Sequence, residues 1–304
     1  RVGADAFASD LNPVAVLLNK VVLEYIPKYG QQLADEVRKW GQWIKEQAEK
    51  ELAEFYPPDP DGATPIAYLW ARTVTCEGPG CGTEVSLIRS LWLAKRNKGS
   101  VALQLLPNAK RKHIDFDIII QDGKGWVSQS DPTVKVANPD LEGTVRRGSA
   151  SCPVCGYTTP VESVRAQLKA RQGGAADARL LAVVTTRPGQ QGRFYRLPIE
   201  RDIAAVRAAA EELERLKAAH TGALSLVPDE PMDIRGIRHT WAMIYGLEEW
   251  GLLFTPRQMM ALVTLARLTN EVARNLLKDE AVPAVVQAVV CVLALTVIRA
   301  ADKL

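Results

Sequence analysis

The sequence predicts an α+β fold in which long helices toward both ends of the chain flank a strand-rich middle. Three observations predict it. Apolar residues recur at three- and four-residue steps in the outer thirds, and they alternate with polar residues in the middle. Four of the five cysteines also sit in two Gly/Pro-containing knuckles within that middle.

The knuckles are Cys76 and Cys81 in TCEGPGCG, and Cys152 and Cys155 in SCPVCG. A tight turn of this kind points two thiolates at one ion, and four thiolates at about 2.3 Å complete a tetrahedral zinc site. The second pair, Cys-x2-Cys-Gly, is the stronger signal, and the first fits the looser end of ligand spacing. A disulfide or a set of buried thiols is the alternative. A catalytic zinc is disfavoured, because four cysteines close the coordination shell against water. Structural zinc on Cys76, Cys81, Cys152 and Cys155 is the expectation.

A chain of 304 residues buries a large core and, at about 150 residues per domain, suggests two domains. Punctuation along the chain divides it into residues 1–56, residues 64–162 carrying the knuckles, and residues 163–304. The net charge of +3, from 38 basic and 35 acidic residues, is too small to argue for nucleic acid by itself. Cysteines concentrated in knuckles fit a reducing compartment, hence the cytoplasm, better than a secreted disulfide framework.

Residues 4–9, ADAFAS, read as a strand running into Asp10, and NPVAVLLNKVVLE opens a helix with Asn12 as N-cap and Pro13 at its first position. An acid at the carboxyl end of a parallel strand lies where ribose hydroxyls bind, so Asp10 is a cofactor-site candidate. A helix cap or solvated turn explains it equally well. Leu33, Val37, Trp40, Ile44, Ala48, Leu52 and Phe55 then form one face of a long amphipathic helix, with Trp40 and Trp43 in its core packing. The helix stops at PPDPDG.

Pro65 to Thr75 is a short apolar, aromatic run that delivers the chain to the first knuckle. From Val85 to His113 there are Arg89, Lys95, Arg96, Lys98, Lys110, Arg111 and Lys112, no acid, and Trp92 among them. A charge run is most often a solvated face. Beside a zinc knuckle and an aromatic it also suits a phosphate backbone, which makes Arg89, Trp92, Lys95, Arg96 and Lys98 candidates for nucleic-acid contact. Ile114, Phe116, Ile118 and Ile120 alternate with Asp115 and Asp117 as a strand, and QDGKG turns it back toward Trp126 and Val127. Two knuckles on hairpin tips joined by one ion describe a zinc ribbon, here with a long elaboration between them.

VESVRAQLKAR predicts a short helix, RLLAVVTT a buried strand paired with Arg193 to Pro198, and Glu200 to Ala219 a charged helix. His220 and His239 lack a second ligand at helical spacing and read as packing or surface residues. Thr255 with Gln258 forms a capping box around Pro256, opening a helix whose buried positions are expected to include Met259, Leu262, Val263, Ala266 and Val272. Ala281 to Ala301 is nearly all apolar. It is expected to lie inside the protein rather than in a membrane, because Pro283 comes early and the run barely spans about 30 Å of hydrocarbon.

No Gly-x-Gly-x-x-Gly turn, Walker loop, His-Glu-x-x-His or Gly-x-Ser-x-Gly motif is present. Asp131-Pro132-Thr133 lacks the second proline and aromatic of an Asp-Pro-Pro-Tyr loop and reads as a turn.

Four stretches together resemble one family, the adenine-specific DNA methylases that contain a zinc ribbon. They are ADAFASDLNPVAVLLNK, PIAYLWARTVTCEGPGCGTEVSLIRSLWLAKRNK, SCPVCG with VESVRAQ, and WGLLFTPRQMMALVTLARL. The resemblance runs over almost the whole chain. It implies partial Rossmann-like α/β methyltransferase elements around an inserted zinc-ribbon β module, and an intact protein that transfers methyl from S-adenosylmethionine to adenine N6 of DNA. It makes Asp10 the ribose-binding acid, with Leu11 and Asn12 beside the adenosine, and matches the four knuckle cysteines to the zinc ligands. The family's Gly-rich loop and Asp-Pro-Pro-Tyr loop are not found in this sequence. The chain therefore reads as the central section of a larger enzyme, with no catalytic residue of its own and inactive alone. A non-enzymatic zinc-ribbon nucleic-acid-binding or scaffold protein is the alternative. The oligomeric state is not legible.

Overall fold

A computed structural model describes residues 7, 9–123, 125–173, 178–233 and 241–302. The strand expected over residues 4–9 falls largely outside them, as does His239. The chain divides into two compact units, Arg1–Glu54 with Arg257–Leu304, and Phe55–Pro256.

The first unit is helical. Asn12 Oδ1 accepts the Val14 N–H at 2.9 Å and Pro13 takes the first position of α1, Pro13–Lys20. The helix continues through a π-helical turn, Val21–Tyr25, into α2, Ile26–Leu52. It bends at Gly30, whose φ of 50° and ψ of −126° are non-helical. Beyond the bend Leu33, Trp40, Ile44 and Ala48 are buried. They share one cluster with residues of α5, Pro256–Lys278, and α6, Pro283–Ala301. Trp40 and Trp43 meet edge to face at 5.7 Å, as core residues.

Two expectations about these helices are corrected. In α5 the buried line is Met260, Ala261, Thr264, Leu268, Val272 and Leu276, together with Met259, whereas Leu262 and Val263 are half-buried and Ala266 is exposed. Threonine marks the true face, and it packs there because Thr269 satisfies its hydroxyl on the Leu265 carbonyl at 2.8 Å. Helix α6 is long and apolar enough by composition to cross a membrane, but it is not enclosed on all sides. Val286, Ala288, Val289, Cys291 and Leu293 are buried, while Ala284, Gln287, Ile298 and Arg299 are exposed.

The second unit holds twelve strands among the described residues, and every pair is antiparallel. Strand β1, Thr64–Thr75, lies between β11, Ala178–Arg187, and β2, Glu84–Ser86, with β12, Gln190–Arg196, outside β11. RLLAVVTT therefore forms a strand buried along six successive residues, Leu180 to Thr185, without parallel neighbours. No parallel pair of the Rossmann type occurs among the described residues. Because residues 64–72 pair with 178–186, the segment after residue 163 belongs with the knuckles up to Pro256.

A five-stranded sheet runs in the order β3, Trp92–Ala94; β4, Val101–Asn108; β5, His113–Asp122; β6, Gly125–Ser128; and β7, Lys135–Val136. A small sheet of β8, Val145–Arg146, β9, Ser149–Ser151, and β10, Thr158–Thr159, carries the second knuckle and leads into α3, Val161–Arg171. Helix α4, Glu200–Ala219, follows β12. Its start is locked by Arg196, whose guanidinium makes paired bonds of 2.6 Å to both oxygens of Asp59 and bonds of 2.6 and 2.9 Å to Asp202. Asp202 Oδ2 also accepts the Ile199 N–H at 2.8 Å, satisfying a donor at the helix terminus.

Candidate metal centre

The two knuckles close hairpins that the sheets set side by side. The first joins β1 to β2, where Thr75 pairs with Glu84 and the Cys76 N–H donates to the Thr83 carbonyl at 2.8 Å. The second joins β9 to β10, where Ser151 pairs with Thr158 and the Cys152 N–H donates to the Tyr157 carbonyl at 2.9 Å. Within each turn a further bond tightens the loop, from Cys81 N to Gly78 O and from Gly156 N to Cys152 O, both at 2.9 Å.

These turns bring the four thiol sulfurs within 4.8 Å of one another. Cys76 Sγ lies 3.5 Å from Cys155 Sγ, and Cys81 Sγ lies 3.8 Å from Cys152 Sγ. Four sulfurs about 2.3 Å from a central ion stand about 3.8 Å apart at tetrahedral angles, close to the two separations of 3.5 and 3.8 Å, so the donor set is compatible with a zinc ion. None of the pairs is a disulfide, whose S–S separation is about 2.05 Å. Cys76, Cys81 and Cys152 are buried and Cys155 is exposed, so the site lies at the edge of a core containing Val74, Val85, Ile114, Ala150, Val164 and Leu168.

The thiols differ electrostatically. Burial pushes the Cys76 thiol up to about 12 and raises that of Cys152, whereas the hydroxyl and backbone N–H of Thr83 pull Cys81 down to about 6. Cys81 Sγ and Thr83 Oγ1 are 3.2 Å apart. Without metal the cluster holds unequal thiols, and a bound cation would favour the thiolate form of each. The Gly78 N–H, 3.4 Å from Cys76 Sγ, adds a donor to that sulfur.

Sequence reasoning missed three residues that support this centre. Gln167 on α3 reaches back to the strand that carries Cys76, accepting from Thr75 N at 2.7 Å and donating to Thr75 O and Glu77 Oε1 at 3.0 Å. Arg171, one turn on, donates to the Thr73 carbonyl and hydroxyl at 3.0 and 3.1 Å. Gly78 abuts the second knuckle. The i, i+4 spacing of Gln167 and Arg171 was a weak signal that one face of α3 is polar yet engaged.

The basic run does not form one surface. Lys95, Arg96 and Lys98 lie on the β3–β4 turn, exposed, whereas Lys110, Arg111 and Lys112 lie on the β4–β5 turn at the far end of β4. Eight residues of strand separate them, about 26 Å at about 3.3 Å per residue. Arg89 precedes β3 and is exposed there. Trp92 on β3 is half-buried, with Lys95 Nζ 4.9 Å from its ring centre and the ring of Trp126 at 5.4 Å.

Asp10, Leu11 and Asn12 are all exposed. Asp10 Oδ1 accepts the Asn12 N–H at 2.8 Å and Asn12 caps α1, so both polar side chains serve the start of the helix. Asp131 accepts from the Thr133 N–H and hydroxyl at 3.0 and 2.6 Å, as a turn. His220 is exposed, with Nε2 2.9 Å from the Leu224 carbonyl oxygen.

Comparison with protein-family models, with curated proteins and with solved structures finds no match to the chain.

Proposed function

We propose that the four cysteines hold one structural zinc ion that fixes the Phe55–Pro256 unit as a nucleic-acid-contacting module of a DNA adenine-N6 methyltransferase acting in the cytoplasm. The observation that carries the metal assignment is the set of four sulfurs within 4.8 Å. Four protein thiolates leave no open position, so the ion contributes folding energy and not a bound nucleophile. The enzyme assignment rests on the sequence resemblance.

In the intact enzyme S-adenosylmethionine supplies the methyl group, with adenine flipped out of the duplex. Asp10, Leu11 and Asn12 would face the adenosine at the start of α1, where all three are exposed although Asp10 Oδ1 and Asn12 Oδ1 already accept backbone N–H groups of the turn. Lys95, Arg96 and Lys98 offer three cations to phosphates, with Trp92 between them and the sheet. Arg89 contributes from before β3.

Metal analysis of the purified chain should give about one zinc per molecule. Binding to duplex DNA should weaken and its salt slope flatten when Lys95, Arg96 and Lys98 are changed together to Gln. Zinc-free protein of unchanged thermal stability sinks the metal assignment, and an unchanged salt slope sinks the basic edge. Methyl transfer by this chain alone would contradict its proposed status as an incomplete catalyst.

The antiparallel pairing throughout the described residues favours a second reading, a non-enzymatic zinc-dependent nucleic-acid-binding or scaffold protein. Calorimetry with S-adenosylmethionine on the intact protein discriminates between the two.

A further inference from the structure

The five-stranded sheet has two unlike faces. Val101 pairs with Ile120, Leu103 with Ile118 and Leu105 with Phe116. That face joins the cluster of Leu91 and Leu181. The alternate residues make the other face, where Ala102 pairs with Ile119, Gln104 with Asp117 and Leu106 with Asp115.

Both indoles stand on this second face. Trp92 is the register partner of Ala102, and Trp126 is the partner of Gln121, two residues beyond Ile119. The rings meet edge to face at 5.4 Å, and Ala102 and Ile119, between them in register, are fully buried. Each tryptophan nevertheless keeps part of its surface exposed. Lys95 Nζ stands 4.9 Å over the Trp92 ring and braces it, so the surface that the edge-to-face pair leaves for a stacking ring is chiefly the exposed part of Trp126.

Charge is gathered at the same end. The Gln121 N–H donates to the Ser100 carbonyl at 2.8 Å, which ties the β3–β4 turn to the end of β5 beside Trp126. Lys95, Arg96 and Lys98 on that turn are exposed, and Arg96 Nη2 is steadied by the Arg193 carbonyl at 3.1 Å. The acid in the middle of the face, Asp117, is engaged by the Ser128 and Ser130 hydroxyls at 2.5 and 3.2 Å. Asp122, at the β5–β6 turn, is an exposed acid at that end.

We infer that this face binds an unpaired DNA strand, with a base stacking on Trp126, which Trp92 supports from beside it, and phosphates meeting Lys95, Arg96 and Lys98. The inference rests on the nucleic-acid reading of the basic edge and adds the form of strand recognised. A duplex hides its base faces, so phosphate contacts alone do not distinguish strand forms, whereas aromatic stacking requires unpaired bases.

The test is fluorescence anisotropy of the full chain with a short single-stranded DNA and with the duplex of the same sequence, over a range of salt. Single strand should bind about tenfold more tightly than duplex, and Trp126→Ala should lose about tenfold for single strand only, with the salt slope unchanged. Trp126→Phe should retain most of the affinity. Should Trp126→Ala fold poorly, single-strand quenching of the wild-type tryptophan emission, absent with duplex, carries the same information. Unchanged single-strand affinity in Trp126→Ala, with the Lys95, Arg96 and Lys98 variant still weakened, overturns stacking and leaves the basic edge standing. No binding of either DNA by zinc-loaded protein overturns both.

Discussion

Gly78 in the first knuckle lies directly against Tyr157 and Cys155 of the second, so that a β-carbon at position 78 would stand 2.8 Å from Tyr157 Cβ and 3.0 Å from Cys155 Sγ. The two turns are thus fitted to each other and not only to a shared ion. Gly78→Ala should destabilise the protein by about 1–3 kcal/mol through overpacking, and should also weaken zinc by displacing Cys155. Thermal unfolding and competition with a chromogenic chelator measure the two effects. Gly80→Ala separates backbone strain from crowding. Its φ of 68° is left-handed but nothing lies within 4 Å of the added carbon, so it should lower stability and leave zinc affinity near the wild type.

The cysteine set was legible in the sequence because ligand chemistry is local, with residue type, spacing and turn glycines all falling within a few positions. Helices α3 and α4 and the β5–β6 turn were legible for the same reason. The contact of Gly78 with Tyr157 was not, since it joins residues whose proximity exists only after β1 and β9 are in place. Adjacency misled in the basic run, because an eight-residue strand carries Lys110 away from Lys98. Hydropathy misled in α5, where Thr264 and Thr269 occupy the buried face. The strand read from ADAFAS falls largely outside the described residues, and Asp10, which the residues and the resemblance both made a ribose-site candidate, accepts the Asn12 N–H within its own turn.

Removing the metal should change how stability responds to pH. In the metal-free fold Cys76 rises from the ordinary thiol value of 9.0 to about 12, so its contribution is complete below about 9 and is lost as pH rises toward about 12. Cys81, pulled down to about 6, contributes above about 9 and loses that contribution as pH falls through about 6. Metal-free protein should therefore gain stability from about pH 6 to about pH 9 and lose it above. Zinc-loaded protein should rise over the same range and then level off, because its thiols are already ionised in the fold and ionise in the unfolded chain only near 9. Urea unfolding at stepped pH, with and without chelator, checks this; a zinc-loaded curve that turns down with the metal-free one contradicts it.

Arg196 joins two carboxylates that are otherwise out of water, since the side chains of Asp59 and Asp202 are 7% and 6% exposed. Both acids, and the proximity of Asp202, favour the charged guanidinium and hold it ionised. Arg196→Met leaves both acids buried without their cation and should cost about 3–5 kcal/mol. Arg196→Lys keeps the charge but cannot grip both oxygens of Asp59, and should recover only part of the loss. Changing all three to apolar or amide residues should cost less than Arg196→Met alone. Denaturant midpoints of the three variants test that order, and a triple variant weaker than Arg196→Met would contradict it.

The bend at Gly30 sets where the buried face of α2 begins. With φ of 50° and ψ of −126°, Gly30 occupies backbone space that a side chain disfavours, although nothing lies within 4 Å of an added carbon. Any loss in Gly30→Ala therefore reports backbone strain and not collision. Straightening the helix there would rotate Leu33, Trp40, Ile44 and Ala48 away from Leu268, Val272 and Val289, with which they share a core. The substitution should therefore cost about 1–3 kcal/mol despite alanine's higher helix propensity, whereas exposed Gln31→Ala should be near neutral. Thermal unfolding of the two variants side by side decides the matter. A Gly30→Ala protein as stable as the wild type would mean that the bend is not required for the packing of α2.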